Sequence, residues 1–422
     1  MTPNRKSKVL YICYFGLREP LVQTQVIPYL LEIMKDEVEV SLLTFEPDPK
    51  RTWTIEEIKA ERQLLEEMGI VWHHLPYHKR PSVPATFYDI LNGARMVRRL
   101  IHRENFDILH CRVHVPALMA AIARKFSRKK PKLLFDIRGF FPEEYTDAGI
   151  WPENGWLYRA AKHVEKWLLN KADGFVVLTE KARRILFPEI SVDADNSDGT
   201  GFDGCGRPVE VIPCCVDIKR FEIADENLRQ EIRGELAIGD RFVIAYVGSF
   251  GGWYLSDEMF DLFSTAHELD PSVFILVLTQ REAGTAVEKL KARGFGENDF
   301  FVRSVTPAEI PYYLNAADAA ISFIKRCYSK QASSPTKNAE YLASGLPMIV
   351  NAGVGDVDSL IKEDGVGVLV EGFDPDAYSK AIRQLKALGN VRQRCRESAK
   401  ARFDLEKVGG QRYRRLYKAI LK

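Results

Sequence analysis

The chain has 422 residues, 46% of them hydrophobic, which is too long for one ordinary core and comfortable for two domains. Charged residues make up 28% and nearly cancel at a net +2, which argues against a nucleic-acid-binding domain with its strongly basic face. The seven cysteines (Cys13, Cys111, Cys205, Cys214, Cys215, Cys327 and Cys395) form no CxxC pair and no metal-ligand spacing with His, which fits a reducing cytosol better than a disulfide scaffold.

The N-terminus is basic, then apolar over 8–15 (KVLYICYF), and meets Gly16. So short a run predicts a buried first strand, not a signal peptide or a membrane span. Further strands are expected at 39–45, 108–111, 132–137 and 174–178. A helix is expected at 155–170, with Trp156, Ala160, Val164 and Trp167 on one face. Two strand ends carry polar groups: His110, Arg112 and His114 after one, and Asp136, Arg138 and Gly139 after the next. Carboxyl ends of adjacent parallel strands converge on a ligand crevice, so these groups are functional candidates or buried structural ones.

Residues 191–208 (SVDADNSDGTGFDGCGRP) read as a flexible surface insertion. Asp193 and Asp195 suggest a calcium loop, but the Gly offset is wrong and no Glu closes it. A last strand follows at 209–213.

The second half opens like the first, with 242–247 (FVIAYV) meeting Gly248 in the loop GSFGGWY. Gly248, Gly251 and Gly252 allow close backbone approach to a ligand. The alternative is a plain turn with Trp253 and Tyr254 packed nearby. Strands are expected at 273–278, 319–323, 347–351 and 367–370. Strand–helix alternation in both halves predicts an α/β protein with two doubly wound parallel sheets. Neither first turn carries GxGxxG, which speaks against an NAD(P)-dependent oxidoreductase.

The stretch 333–355 (SSPTKNAEYLASGLPMIVNAGVG) carries the most chemistry. Ser333 and Ser334 suit an N-cap and Pro335 a first helical position, predicting a helix over 335–344 that ends at Gly345. Its free N–H groups, with Thr336 and Lys337, form a ready site for phosphate oxygens. An ordinary capped helix explains Ser334 and Pro335 but not Lys337, a cation where the helix dipole disfavours one. Glu340, one turn on, is placed to grip a ribose diol. At the chain's end, 411–422 (QRYRRLYKAILK) holds five basic residues and no acid. That is either a solvated helix end or a basic face for an anionic membrane surface.

SPTKNAEYLASGLPMIVN resembles the nucleotide-binding signature of the retaining GT-B glycosyltransferases of family 4. The phrase VIPCCVD at 211–217, followed by Phe221, and TPAEIPYYLNAADAAISF at 306–323 are similar to other segments of that family. The resemblance spans essentially the whole chain and implies a GT-B architecture, two Rossmann-like domains facing across a cleft. Residues 1–214 would bind the acceptor, 215–400 the nucleotide-sugar, and 401–422 would return to the first domain. It places Glu340 on the ribose, Ser334, Pro335, Thr336 and Lys337 at the diphosphate, Arg303 and Ser304 at the base, and Gly248, Gly251 and Gly252 at the cleft floor. Arg18, Arg112, Glu143 and Glu144 become acceptor candidates. Arg138 falls near a His of relatives that contacts the donor sugar, and with His114 and Lys337 it is a catalytic candidate.

Three departures stand out. Ala332 occupies the place of a second Glu, the loop after Gly248 lacks a basic residue that Lys325 or Arg281 could supply, and the turn 16–21 lacks a Gly-Gly pair. The implied reaction is transfer from a UDP- or GDP-sugar to a glycan or lipid-linked acceptor, with retention and with no cofactor or dedicated metal. The implied setting is bacterial surface-polysaccharide or glycolipid assembly in the cytoplasm, at the inner membrane face. A nucleotide-sugar epimerase and a non-catalytic nucleotide-sugar-binding module remain open alternatives.

Overall fold

The computed structural model describes residues 6–47, 53–190, 201–221, 226–280 and 282–422. The chain divides into two units, Met1–Pro213 with Leu405–Lys422, and Cys214–Asp404.

The first unit is built on eight strands: β1 (Ser7–Cys13), β2 (Val38–Pro47), β3 (Ile70–Tyr77), β4 (Ile108–Arg112), β5 (Lys132–Ile137), β6 (Gly174–Val177), β7 (Gly201–Phe202) and β8 (Pro208–Val211). Their order is β3-β2-β1-β4-β5-β6-β8-β7, parallel except where β7 runs against β8. The order reverses between β1 and β4, the switch point of a doubly wound sheet. The second unit holds β9 (Val243–Val247), β10 (Phe274–Thr279), β11 (Phe300–Ser304), β12 (Ala319–Ser322), β13 (Met348–Asn351) and β14 (Gly367–Val370). These strands pair in parallel throughout, in the order β11-β10-β9-β12-β13-β14, so the switch lies between β9 and β12.

Both faces of the second sheet are covered. Along β9, Val243, Ala245 and Val247 enter one apolar core and Ile244 and Tyr246 the other. A strand buried on both sides needs no polar alternation, which is why the central strands read as continuous apolar runs. β3 (IVWHHLPY) and β11 (FFVRS) escape that reading. Each is the outermost strand at one edge of its sheet, only partly buried, so its apolar run is interrupted.

Three expectations are corrected. Of the predicted insertion, 191–200 lies outside the described residues, calcium-like aspartates included, but 201–208 is an ordered hairpin. There Asp203 accepts from the Cys205 and Arg207 N–H groups at 3.1 and 2.8 Å, and the Arg207 guanidinium lies 4.8 Å over Phe175. The helix Trp156–Lys171 buries Glu165 and Leu168, while Trp156 and Ala160 are exposed. Its face is turned because His114 holds Glu165 inward at 3.0 Å.

The C-terminal helix Gln411–Leu421 packs in the first unit and buries Tyr413, Leu416, Tyr417 and Ile420. Gly174 lets it sit close, since a Cβ there would come within 2.6 Å of Ile420 and push that side chain aside. Its cations engage that unit's own groups. Arg412 donates to the Val211 carbonyl at 2.6 Å, Arg414 to that of Glu32 at 2.7 Å, Arg415 forks Glu210 at 2.8 and 3.0 Å, and Lys418 pairs with Asp36. The arginines of the run are therefore not a free basic face, while Lys418 and Lys422 at its end stay exposed. Among the described residues no helix is long and apolar enough to cross a membrane.

Candidate functional site

In the second unit, β9 and β12 pair only at Ala319–Ile244 and Ala320–Ala245 and part beyond that point. The Tyr341 hydroxyl bridges the gap, accepting from the Val247 N–H at 2.9 Å and donating to the Ile321 carbonyl at 3.3 Å. Tyr341 belongs to the helix Thr336–Ala343, so one side chain locks that helix to the carboxyl ends of the switch strands. The helix starts one residue later than expected. Pro335 is its N-cap, no side chain caps it, and the Ser334 hydroxyl accepts instead from the Cys214 N–H at 3.1 Å. Its first N–H groups thus keep the anion-binding character of an uncapped helix start.

Lys337 is the centre of this site. Its ammonium lies 3.7 Å from the ring centre of Tyr254 and 4.3 Å from that of Tyr246, and 3.3 Å from the Tyr246 hydroxyl. Gly248 roofs it: at φ +133° its backbone suits only glycine, and a Cβ would sit 2.8 Å from the Lys337 Nζ. The loop that carries Tyr254 is fastened by the Gly251 N–H to Ser256 Oγ at 2.9 Å, Leu255 N–H to the Phe323 carbonyl at 3.1 Å, and Lys325 N–H to the Trp253 carbonyl at 2.8 Å. Among the described residues no carboxylate forms an ion pair with Lys337. Burial pushes its amine down to about 7, with Glu340 opposing the shift. Burial raises the Glu340 carboxyl in turn, against Arg220 and Lys337. A buried amine faced by π-electrons gains from a fixed anion far more than an exposed one does.

The first unit gathers its polar candidates differently. Asp136 is fully buried and accepts from the Tyr413 hydroxyl at 3.0 Å, with His110 at 3.5 Å and Arg138 at 3.6 Å. Burial works against its ionisation, but Arg138, His110 and Arg112 outweigh it and hold the carboxyl at about 2. His110 also shares a 2.7 Å hydrogen bond with the Tyr417 hydroxyl, and Arg112 is enclosed, reaching the Gln25 carbonyl at 3.5 Å. His114 begins a second chain that runs through Glu165 to Lys162, then to Glu143 at 2.9 Å, which accepts from Tyr158 at 3.2 Å.

A family model described as "Glycosyl transferase 4-like domain" matches residues 24–196, and one described as "Glycosyl transferases group 1" matches 229–402. The chain belongs to the family 4 type of GT-B glycosyltransferases. A D-inositol 3-phosphate glycosyltransferase of Salinispora tropica is 25% identical over 199 residues, a match covering 44% of this chain and 40% of that protein. A glycosyltransferase from Rickettsia africae superposes over 99% of both chains with a TM-score of 0.70 at 14% identity. Anabaena HepE, solved in complex with UDP-glucose, superposes over 97% of this chain and 99% of its own at 0.64 and 15%. At such identities the two structures bear on the fold alone.

In this glycosyltransferase Lys337, Gly248 and the start of the Thr336 helix come together, with Glu340 one turn along. Gly251 and Gly252, at φ +76° and +60°, shape the loop above without touching a neighbour through a missing Cβ. Arg303 lies near the end of β11, two strands from β9, donates to the Tyr313 hydroxyl and lies 5.6 Å over that ring; Ser304, the last residue of β11, is exposed. The Lys325 side chain is exposed, and Arg281 lies outside the described residues. In the first unit Arg18 is stacked 3.8 Å over Trp53 and paired with Glu57 at 3.1 Å. Glu144 packs against Gly139, where a Cβ would lie 3.1 Å from its carboxylate. Sequence reasoning missed Tyr246, Tyr341 and Arg220, and treated Tyr254 only as packing. The signal for Tyr246 was a lone hydroxyl in an otherwise aliphatic central strand, because a buried Tyr hydroxyl needs a partner.

Proposed function

We propose that this enzyme transfers a sugar from a nucleoside-diphosphate sugar, with retention of anomeric configuration, to a glycan or lipid-linked acceptor. The observation that carries the reading is Lys337, a buried amine beneath Gly248 at an uncapped helix start beside the strand switch. The diphosphate would sit on the first N–H groups of that helix and take a proton-bearing Lys337 as its counter-charge. Glu340 would hold the ribose. As the glycosidic bond breaks, negative charge grows on the departing diphosphate, and these preset donors stabilise it without reorganising. The complex of Anabaena HepE with UDP-glucose makes a UDP-sugar the first donor to try. We place the acceptor on the first unit, and the work on the cytoplasmic side of a membrane in surface-glycan assembly.

Thermal unfolding against UDP, GDP, ADP, CDP and dTDP tests this reading, with Glu340→Ala as the control. One base should raise the midpoint. At a hundredfold excess over Kd the ligand adds about 2.7 kcal/mol, and Glu340→Ala should lose most of it. No shift with any base would sink the donor-site reading.

A further inference from the structure

A second surface, remote in chemistry from nucleotide binding, lies on the first unit. The helix Ser82–Glu104 follows β3. Ala85, Asp89, Gly93, Ala94, Val97, Leu100 and Ile101 form its buried face. On the opposite face its first half shows Val83, Phe87, Tyr88 and Leu91, exposed at 49%, 62%, 54% and 37%. With about 1.5 Å of rise per residue, these four cover roughly 12 Å of helix. Cations stand at both ends of this apolar patch: Lys79 and Arg80 before it, and Arg95, Arg98, Arg99 and Arg103 after it, all exposed. The stretch 79–103 contains six Lys or Arg and one acid, Asp89.

That acid is turned inward. Asp89 accepts from the Tyr14 hydroxyl at 2.7 Å and the His78 N–H at 3.0 Å, and pairs with the His78 ring at 2.6 Å. The patch therefore shows no negative charge of its own. None of the six cations forms an ion pair among the described residues. The platform is also rigid. Asp89 ties the helix to the residue after β1, and the Tyr88 ring stands edge-on to His78 at 5.1 Å. The Tyr88 ring is thus braced against a side chain that Asp89 holds in place.

We propose that this face docks on an anionic lipid bilayer, Phe87, Tyr88, Val83 and Leu91 entering the headgroup–acyl boundary while the two basic clusters engage lipid phosphates. Apolar side chains bracketed by Lys and Arg suit an interface that is apolar below and negatively charged above. A second copy fits less well, since its contact would set six cations against six. The C-terminal helix offers no such surface, its arginines being engaged within the unit.

Sedimentation of the full chain with phosphatidylcholine vesicles, with and without phosphatidylglycerol, tests the assignment. The protein should pellet only with the anionic vesicles, and less as salt rises. A cation near such a surface contributes about fivefold in partitioning, so Arg95→Glu/Arg98→Glu/Arg99→Glu should weaken binding by more than about a hundredfold. Phe87→Ser/Tyr88→Ser should weaken it by about tenfold or more at fixed salt. Both variants alter exposed residues, so their unfolding midpoints should match the parent's. Lys418→Glu should bind as the parent does. The proposal is overturned if the parent stays in the supernatant, if it pellets equally with neutral vesicles, or if both helix variants bind unchanged. It is overturned as well if light scattering finds a parent dimer that Phe87→Ser/Tyr88→Ser makes monomeric, which would give the face to a second copy.

Discussion

Around the strand switch of the first sheet, Asp136 meets Tyr413, His110 and Arg138, whereas at the switch of the second, Lys337 meets two tyrosine rings and a backbone glycine. Both sheets begin with the same strand order, and both bury a charge near the carboxyl ends. In the first, the charge is balanced by groups on β4, β5 and the C-terminal helix. In the second, the charge is desolvated and its balancing anion is only partly supplied by Glu340. Buried charge that is internally paired serves architecture, and buried charge left wanting a partner marks a place for a ligand.

The largest expected effect breaks the first half of that contrast. Asp136→Asn leaves Arg112 and Arg138 buried without their carboxylate, and should cost about 3–5 kcal/mol in urea unfolding. The carboxyl is lowered in the fold, so its stabilisation is fully present above its unfolded pKa near 4 and is lost as pH falls toward about 2. An unfolding midpoint for the variant equal to the parent's would mean the network is not a structural clasp.

Lys337→Met should do the reverse. The variant keeps the side chain's bulk and removes a charge whose burial opposes folding, so the unfolding midpoint should hold or rise. Transfer, in contrast, should fall by about a hundred- to a thousandfold, as when one preset donor to a developing anion is deleted. Steady-state kinetics together with thermal unfolding separates the two effects. A variant that is both unstable and inactive would place Lys337 in the core rather than the site.

The difference also explains what was legible. The central strands announced themselves because burial on both faces leaves long apolar runs, while β3 and β11 stayed hidden because an edge strand is half wet. Gly248, Lys337 and Glu340 could be picked out because a helix start, a left-handed glycine and a misplaced cation each leave a local mark. Tyr341 could not, since its task depends on where β9 and β12 separate, a fact of three-dimensional register. Arg220 lies 120 residues from Glu340 along the chain, and its field on that carboxylate leaves no trace in spacing. The basic C-terminal run misled for a similar reason: Glu32, Asp36 and Glu210, which hold its cations, come from distant segments.

The finest test of the contrast is titration of donor affinity. In the free enzyme burial holds the Lys337 amine near 7, so above that pH it is mostly neutral. A bound diphosphate stabilises the ammonium and raises its pKa, so binding above pH 7 must draw a proton from solution. Affinity for the matching nucleoside diphosphate should be flat below about pH 7 and fall by up to about tenfold per pH unit above it. Calorimetry in buffers of different ionisation enthalpy should register the same proton uptake. Lys337→Met should bind more weakly and lose the slope. If the parent's affinity is level from pH 7 to 9, Lys337 is already charged before the ligand arrives, and its two tyrosines with Glu340 shelter a permanent cation instead of a poised amine.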